Sequence, residues 1–105
     1  MRVLKFVVNA QKITQDPNCD FSGIVRGTAG YLEARFSFSA EWGGTVKVAE
    51  FRKHACDSAV SVPIINGRCM VPVEVTGGKA WHIKVIGKKG DVIIPTGNCK
   101  VEQEG

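Results

Sequence analysis

The residues of this chain that could do chemistry are few and scattered. His54 and His82 are its two histidines. Asp57 and Ser58 follow His54 in the run K-H-A-C-D-S, so a base, a carboxylate and a hydroxyl stand within five residues. A catalytic triad depends on geometry in space rather than closeness in sequence, and no G-x-S-x-G elbow surrounds Ser58. His82 alternates with Trp81 and Ile83, which turns it outward. Both histidines read as surface residues, and the chain is not expected to be an enzyme. A metal site is not expected either, because there is no C-x-x-C and no H-x-x-x-H. Asp16, Asn18 and Asp20 superficially resemble the start of a calcium loop, but the glycine and the bidentate glutamate at the required offsets are missing. That segment, D-P-N-C-D, reads as a turn. Gly23, Gly27 and Gly30 carry no Gly-Lys-Ser and no strand–helix frame, so they mark a loop with positive-φ positions rather than a phosphate cradle. No cofactor is expected.

Cysteines stand at 19, 56, 69 and 99, and four cysteines allow three pairings that sequence alone does not separate. One pairing is weakened by a turn. Ile65-Asn66-Gly67-Arg68 reads as a two-residue hairpin, which sets Cys69 opposite Ile64 and leaves Cys56 far down the partner strand, out of disulfide reach. The opening M-R-V-L-K-F-V-V-N-A is not an export signal by pattern: Lys5 interrupts a short apolar run that alternates like a strand. Free thiols, buried or half-buried and behaving as small apolar residues, are therefore the expectation.

The elements that must position any working surface are strands. From Tyr31 to Ala40 the pattern alternates strictly, with Leu32, Ala34, Phe36, Phe38 and Ala40 on one face and Tyr31, Glu33, Arg35, Ser37 and Ser39 on the other. Trp42-Gly43-Gly44 then turns the chain. Trp42 has two readings here: a ring closing one end of the core, which the corner position favours, or an exposed ring for stacking on sugar. Val3 to Val8 is a strand with Leu4, Phe6 and Val8 inward, and Asn9 to Ile13 is expected to continue it after a kink. Gln15 to Thr28 is a loop, with Phe21, Ile24 and Val25 tucked against the core. Thr45 to Arg52 changes phase, Val46 and Val48 on one parity and Ala49 and Phe51 on the other, which a β-bulge near Val48-Ala49 would reconcile. Ala59–Ile64 and Arg68–Val73 form the Asn66-Gly67 hairpin, with Pro63 and Pro72 at an edge or at strand ends. No amphipathic helix of ten residues appears; at most Pro72–Val75 makes a short 3₁₀ turn. Trp81, Ile83 and Val85 face inward on the next strand, Gly87 to Asp91 is a hairpin loop, and Val92–Ile94 and Asn98–Glu102 finish the sheet.

Seven or eight short strands with turn signals about every ten residues define an all-β fold, an antiparallel β-sandwich of immunoglobulin-like architecture with no substantial helix. The Cys–Trp–Cys spacing of antibody domains is absent. At 105 residues, 44% apolar and 23% charged, the whole chain 1–105 forms one domain with its own core. No run of 18 apolar residues exists, so no membrane span is expected. The formal charge of +4 is spread along the chain, with a small cluster at Lys84, Lys88 and Lys89. Nucleic-acid binding calls for a basic stripe with exposed aromatics, whereas the aromatics here mostly fit core faces, so no specific nucleic-acid partner is expected.

Four runs taken in order carry a resemblance: Y-L-E-A-R-F-S-F-S-A-E-W-G-G-T-V-K-V-A-E-F, then I-I-N-G-R-C-M-V-P-V-E-V, then W-H-I-K-V-I-G-K-K-G-D-V-I-I-P-T, and a closing V-E-Q-E-G. Over about residues 29–105 this series resembles a family of small β domains in structural proteins of tailed bacteriophages, in particular the N-terminal module of baseplate upper proteins. The resemblance implies a virion structural protein, assembled in a host cytoplasm. Its role would be attachment at the tail baseplate, a head fibre anchor or capsid decoration. The receptor-binding parts that follow such modules are not present, so host recognition is not implied. It also implies other virion proteins as partners, met as repeated copies in a symmetric assembly, and carries no catalytic residues. Edge strands would be the working surface, together with the exposed face bearing Tyr31, Glu33 and Arg35, whose mix of aromatic and charged residues is interface-like. The alternative function is a carbohydrate-binding β-sandwich using Trp42 or Tyr31.

Overall fold

The computed structural model describes residues 1–105 and contains nine strands: β1 (Arg2–Asn9), β2 (Lys12–Gln15), β3 (Leu32–Phe38), β4 (Val46–Arg52), β5 (Val60–Ile64), β6 (Arg68–Met70), β7 (Ala80–Lys89), β8 (Val92–Pro95) and β9 (Cys99–Glu102). They form two sheets, β2-β1-β3-β6 and β5-β4-β7-β8, with β9 pairing the first half of β7. The all-β sandwich expected from alternation is the fold found. Its only helical pieces are 3₁₀ turns at Val73–Val75, within the stretch allowed for one, and at Ala40–Trp42, where strand alternation was expected to run on to Ala40. No helix is long and apolar enough to cross a membrane.

Alternation explains the core. Leu4, Phe6 and Val8 of β1, Leu32, Ala34 and Phe36 of β3, Ala49 and Phe51 of β4, and Trp81, Ile83 and Val85 of β7 are all buried between the sheets. Six rings run through it in series: Trp42, Phe38, Phe36, Phe6, Trp81 and Phe51, with neighbouring centroids 5.3 to 6.4 Å apart. Such offset and tilted pairs add about 0.5–1.5 kcal/mol each beyond the area they bury.

Several pairings differ from the sequence reading. β1 and β3 run parallel, from Arg2 opposite Leu32 to Val8 opposite Phe38, so the first sheet is mixed. A parallel pair needs a long return connection, and the stretch from β2 through residues 16–31 supplies it without a helix. Asn9 to Ile13 is not a kinked continuation but a hairpin, with Asn9 opposite Lys12 and a turn at Ala10-Gln11. Ala10 adopts φ +52°, a position where glycine or asparagine is the usual signal. The proposed bulge in β4 is absent. Its register against β5 and β7 is unbroken, and Val46 and Val48 simply lie on the outer face. Lys47, which shares the inward parity, sits at the strand's end with its ammonium 5.1 Å over the Phe38 ring. The Asn66-Gly67 turn forms as expected, both residues at positive φ, yet its arms separate: β5 pairs β4 in one sheet and β6 pairs β3 in the other. It is a corner between layers, held by the single Ile65–Arg68 bridge.

The long loop is fastened from the far end of the chain. Glu104 N–H donates to Ile24 O at 2.7 Å and Arg26 N–H to Glu104 O at 2.8 Å. Ile24 is buried and Phe21 packs edge-on against Phe6, as expected, but Val25 is 54% exposed. Trp81 is fixed at the same end by its indole N–H, which donates to Gln103 Oε1, while Gln103 Nε2 donates to the Thr76 and Gly78 carbonyls.

Trp42 closes the other end. It is fully buried, its indole N–H donates to Ala10 O at 2.9 Å, and its ring lies over Gly87. A Cβ at Gly87 would stand 2.7 Å from the Trp42 ring, so only glycine fits there. Gly87→Ala should cost about 1–3 kcal/mol by overpacking. Trp42→Ala should cost about 3–5 kcal/mol, a large part of a small domain's stability. In urea unfolding the Gly87→Ala penalty should shrink by about 1 kcal/mol or more in a Trp42→Leu background, because the clash is with that ring. Penalties that simply add would contradict the contact.

Candidate functional site

The outward face of the first sheet is where the residues singled out from sequence come together. Tyr31 is 51% exposed just before β3, and Glu33 and Arg35 follow on the outer side of that strand. The pairing register extends each into a row. Val3, Glu33 and Met70 lie side by side across β1, β3 and β6, and Lys5, Arg35 and Arg68 form the next row. Strands are about 4.8 Å apart, so this second row sets three cations at close, regular spacing. Like charges directly opposite one another destabilise a sheet. The counter-charge is Glu33, whose carboxylate accepts from Arg35 Nε at 2.5 Å. That hydrogen bond, with the Arg35 and Arg68 charges adding to it, holds the Glu33 carboxyl below the usual range. Beside it lies a shallow depression of about 330 Å³ lined by Glu33, Ile65, Asn66, Arg68, Cys69 and Met70.

Trp42 does not join this face. Its complete burial and its bond to Ala10 leave no ring to stack on a sugar, so that reading of Trp42 is corrected. The corner packs the indole inward because Gly87 leaves it room. Tyr31 keeps an exposed ring, standing alone in that respect among the eight aromatic side chains.

The other candidates fall apart in space. The His54 backbone N–H donates to Asp57 Oδ2 at 3.1 Å, which makes a turn rather than a base–carboxylate pair. His82 lies on the outer side of β7, between Arg52 and Lys100. Asp16 and Asp20 accept from the backbone of Asn18 and Ser22, two residues on, as turn residues do. No three His, Cys, Asp or Glu residues gather where they could hold a metal ion. Gly23, Gly27 and Gly30 all have positive φ. The four cysteines are free.

A second face was missed in the sequence. On the outside of the second sheet, Val48 of β4 pairs Ile86 of β7, with Pro63 and Pro95 on the strands beyond. Val46 is 74% and Ile93 61% exposed beside them. Val46, Val48 and Ile86 border an open apolar hollow of about 670 Å³ whose walls include Glu50 and Lys88. The signal was present in the two apolar parities of residues 46–51, which describe a strand with apolar side chains on both faces.

No known family model matches this chain, and comparison with curated proteins finds no relative.

The cysteines give a test of how these surfaces are buried. Cys69 lies on β6 beneath the basic row; burial pushes its thiol up to about 12, with the Glu33 charge adding to the effect. Burial also raises Cys99, whereas Cys56 is exposed. With a maleimide at pH 8, Cys56 should be modified first and Cys69 last. An unfolded thiol ionises near pH 8.5–9 while folded Cys69 keeps its proton, so the folded state binds more protons above that pH. Stability should therefore fall as pH rises from about 9 toward 12, and Cys69→Ala should flatten that slope. Rapid labelling of Cys69 in the folded protein would contradict this burial.

Proposed function

We propose that this chain is a structural protein of a tailed-bacteriophage virion: a small non-enzymatic attachment module at the tail baseplate, or a head fibre anchor or capsid decoration. The observation that carries the proposal is the ordered set of sequence runs resembling such modules, which falls on β3, β4, β6, β7 and β8 and so makes up most of the sandwich. Support also comes from the kind of surface offered. The chain presents broad outward faces and shallow hollows rather than an enclosed polar cleft.

Within this reading the basic row contacts an acidic surface of another virion protein. Three aligned cations cost the isolated sheet stability, and an acidic neighbour would relieve that repulsion. Repetition in a symmetric particle lets a modest contact suffice.

Quantitative mass spectrometry of purified phage particles tests the proposal. Copies in the hundreds per particle indicate capsid decoration; a few to a few tens indicate a baseplate, tail or fibre-anchor position. Absence from the particle rejects the virion reading. Arg35→Glu should lower incorporation about tenfold or more, the scale of reversing one interfacial charge contact. Its effect on folding should stay within about 1 kcal/mol, because losing the Glu33 hydrogen bond is offset by opposite charges facing Lys5 and Arg68 across the strands. Normal incorporation of a folded variant would remove Arg35 from the contact.

A further inference from the structure

The outer face of the second sheet is nearly its own complement. Its central row reads Pro63, Val48, Ile86, Pro95 across β5, β4, β7 and β8. Reversed, it reads Pro, Ile, Val, Pro, an apolar row of the same character. The adjacent row on β4 and β7 holds Glu50 and Lys84, opposite in register and 3.9 Å apart. Reversed, it sets lysine where glutamate was. A row that keeps its character on reversal, next to a row that exchanges charge sign, is what a two-fold axis requires of a surface that meets itself.

We propose that a second copy of this chain docks face to face on this surface, about a two-fold axis that runs parallel to β4 and β7 and midway between them. The axis places Val48 against Ile86 of the second copy, and Ile86 against its Val48. Pro63 meets Pro95 of the second copy. Glu50 faces Lys84 of the second copy, and Lys84 faces its Glu50, giving two charge pairs at one border of the apolar contact. Val46, 74% exposed in one chain, packs along the aliphatic stem of Lys88 from the other. The hollow of about 670 Å³ between Glu50 and Lys88 is filled by the opposing Val48 and Ile86. Beyond the charge pairs, Arg52, His82 and Lys100 form a row without an acidic member, which limits the contact to the apolar end. Sheets meeting this way pack about 10 Å apart with interdigitating side chains.

This contact uses the sheet opposite the one bearing Tyr31, Glu33 and Arg35, and it does not rest on the virion reading. Failure of one leaves the other standing.

Sedimentation of the purified full chain tests it. The wild type should shift with concentration from 11.4 kDa toward twice that mass, within a range up to about 1 mM. Val48→Glu should hold the mass at one chain. Because a charge at that half-buried position can disturb folding, two charge variants carry the test independently. Glu50→Lys alone sets like charges face to face in both pairs, as does Lys84→Glu alone, and each should weaken association tenfold or more. An equimolar mixture of the two should recover it: Lys84 of the first variant then meets Glu50 of the second, and the two substituted positions meet with opposite charge. The intrachain 50–84 pair is broken in both variants, so recovery reports the contact between chains. A wild type that stays at 11.4 kDa up to about 1 mM overturns the proposal. So does a mixture that associates no better than its components.

Discussion

The bond from the Trp42 indole to the Ala10 carbonyl is the constraint on which one end of the molecule depends. The β1–β2 turn places a non-glycine residue at φ +52°, a conformation an alanine adopts only under compulsion. Three groups supply it. Ser39 Oγ accepts from the Ala10 amide at 3.0 Å, Glu41 Oε1 accepts from it at 3.3 Å, and the Trp42 N–H takes the carbonyl on the other side. All three come from the corner between β3 and β4. The same indole rests on Gly87 of β7, so one side chain ties a turn of the first sheet, the crossing between sheets and the centre of the second. Gln103 does comparable work at the opposite end by taking the Trp81 N–H and donating to two carbonyls. With both indoles satisfied, no buried side-chain nitrogen or oxygen lacks a partner, which lets two polar rings be placed in a dry core.

Much of this was legible in the sequence because a strand with one wet face writes itself as a period of two. Leu32 to Phe38, Trp81 to Val85 and Leu4 to Val8 are read this way, and the inward residues are those expected, except that Phe38 is half-buried and Ala40, read as inward, is exposed where the strand gives way to a 3₁₀ turn. The Asn66-Gly67 turn is legible because its residue types fix backbone angles. What failed has a common cause: the information lay in contacts distant along the chain. Ala10 looks like an ordinary strand residue until the Ser39–Trp42 corner is set against it. Parallel pairing of β1 with β3 depends on how a loop of some sixteen residues folds back, and that loop is held by Glu104. A bulge near Val48-Ala49 follows only if the two apolar parities of this strand share one core. The strand in fact has apolar side chains on both sides, and only one side is covered within the chain.

The candidate faces were legible to unequal degrees for the same reason. Tyr31, Glu33 and Arg35 stood out because alternation puts a polar, mixed stripe on one strand. Their neighbours in the rows, Lys5 and Arg68, come from strands far apart in sequence, so the basic row was invisible until register was known. Trp42 was ambiguous because a tryptophan beside two glycines has room to turn either way; what decides it is Gly87, some forty-five residues later.

The two outer faces also bear on how such a domain meets its neighbours. Edge pairing is the simplest route to assembly for a sandwich, but two of its edges are blunted. Pro63 removes a backbone donor from edge strand β5. On the opposite side Gln11 donates to Pro95 O and Gln15 to Lys100 O, lacing β2 to the other sheet. Association is thereby steered from edges toward faces, where side chains rather than backbone set the partner. One face carries aligned positive charge and the other an apolar row bounded by paired charges, so the two offer different chemistry to a neighbour. If both proposed contacts form, such a domain would join an array through its two faces, with less reliance on strand edges that pair indiscriminately.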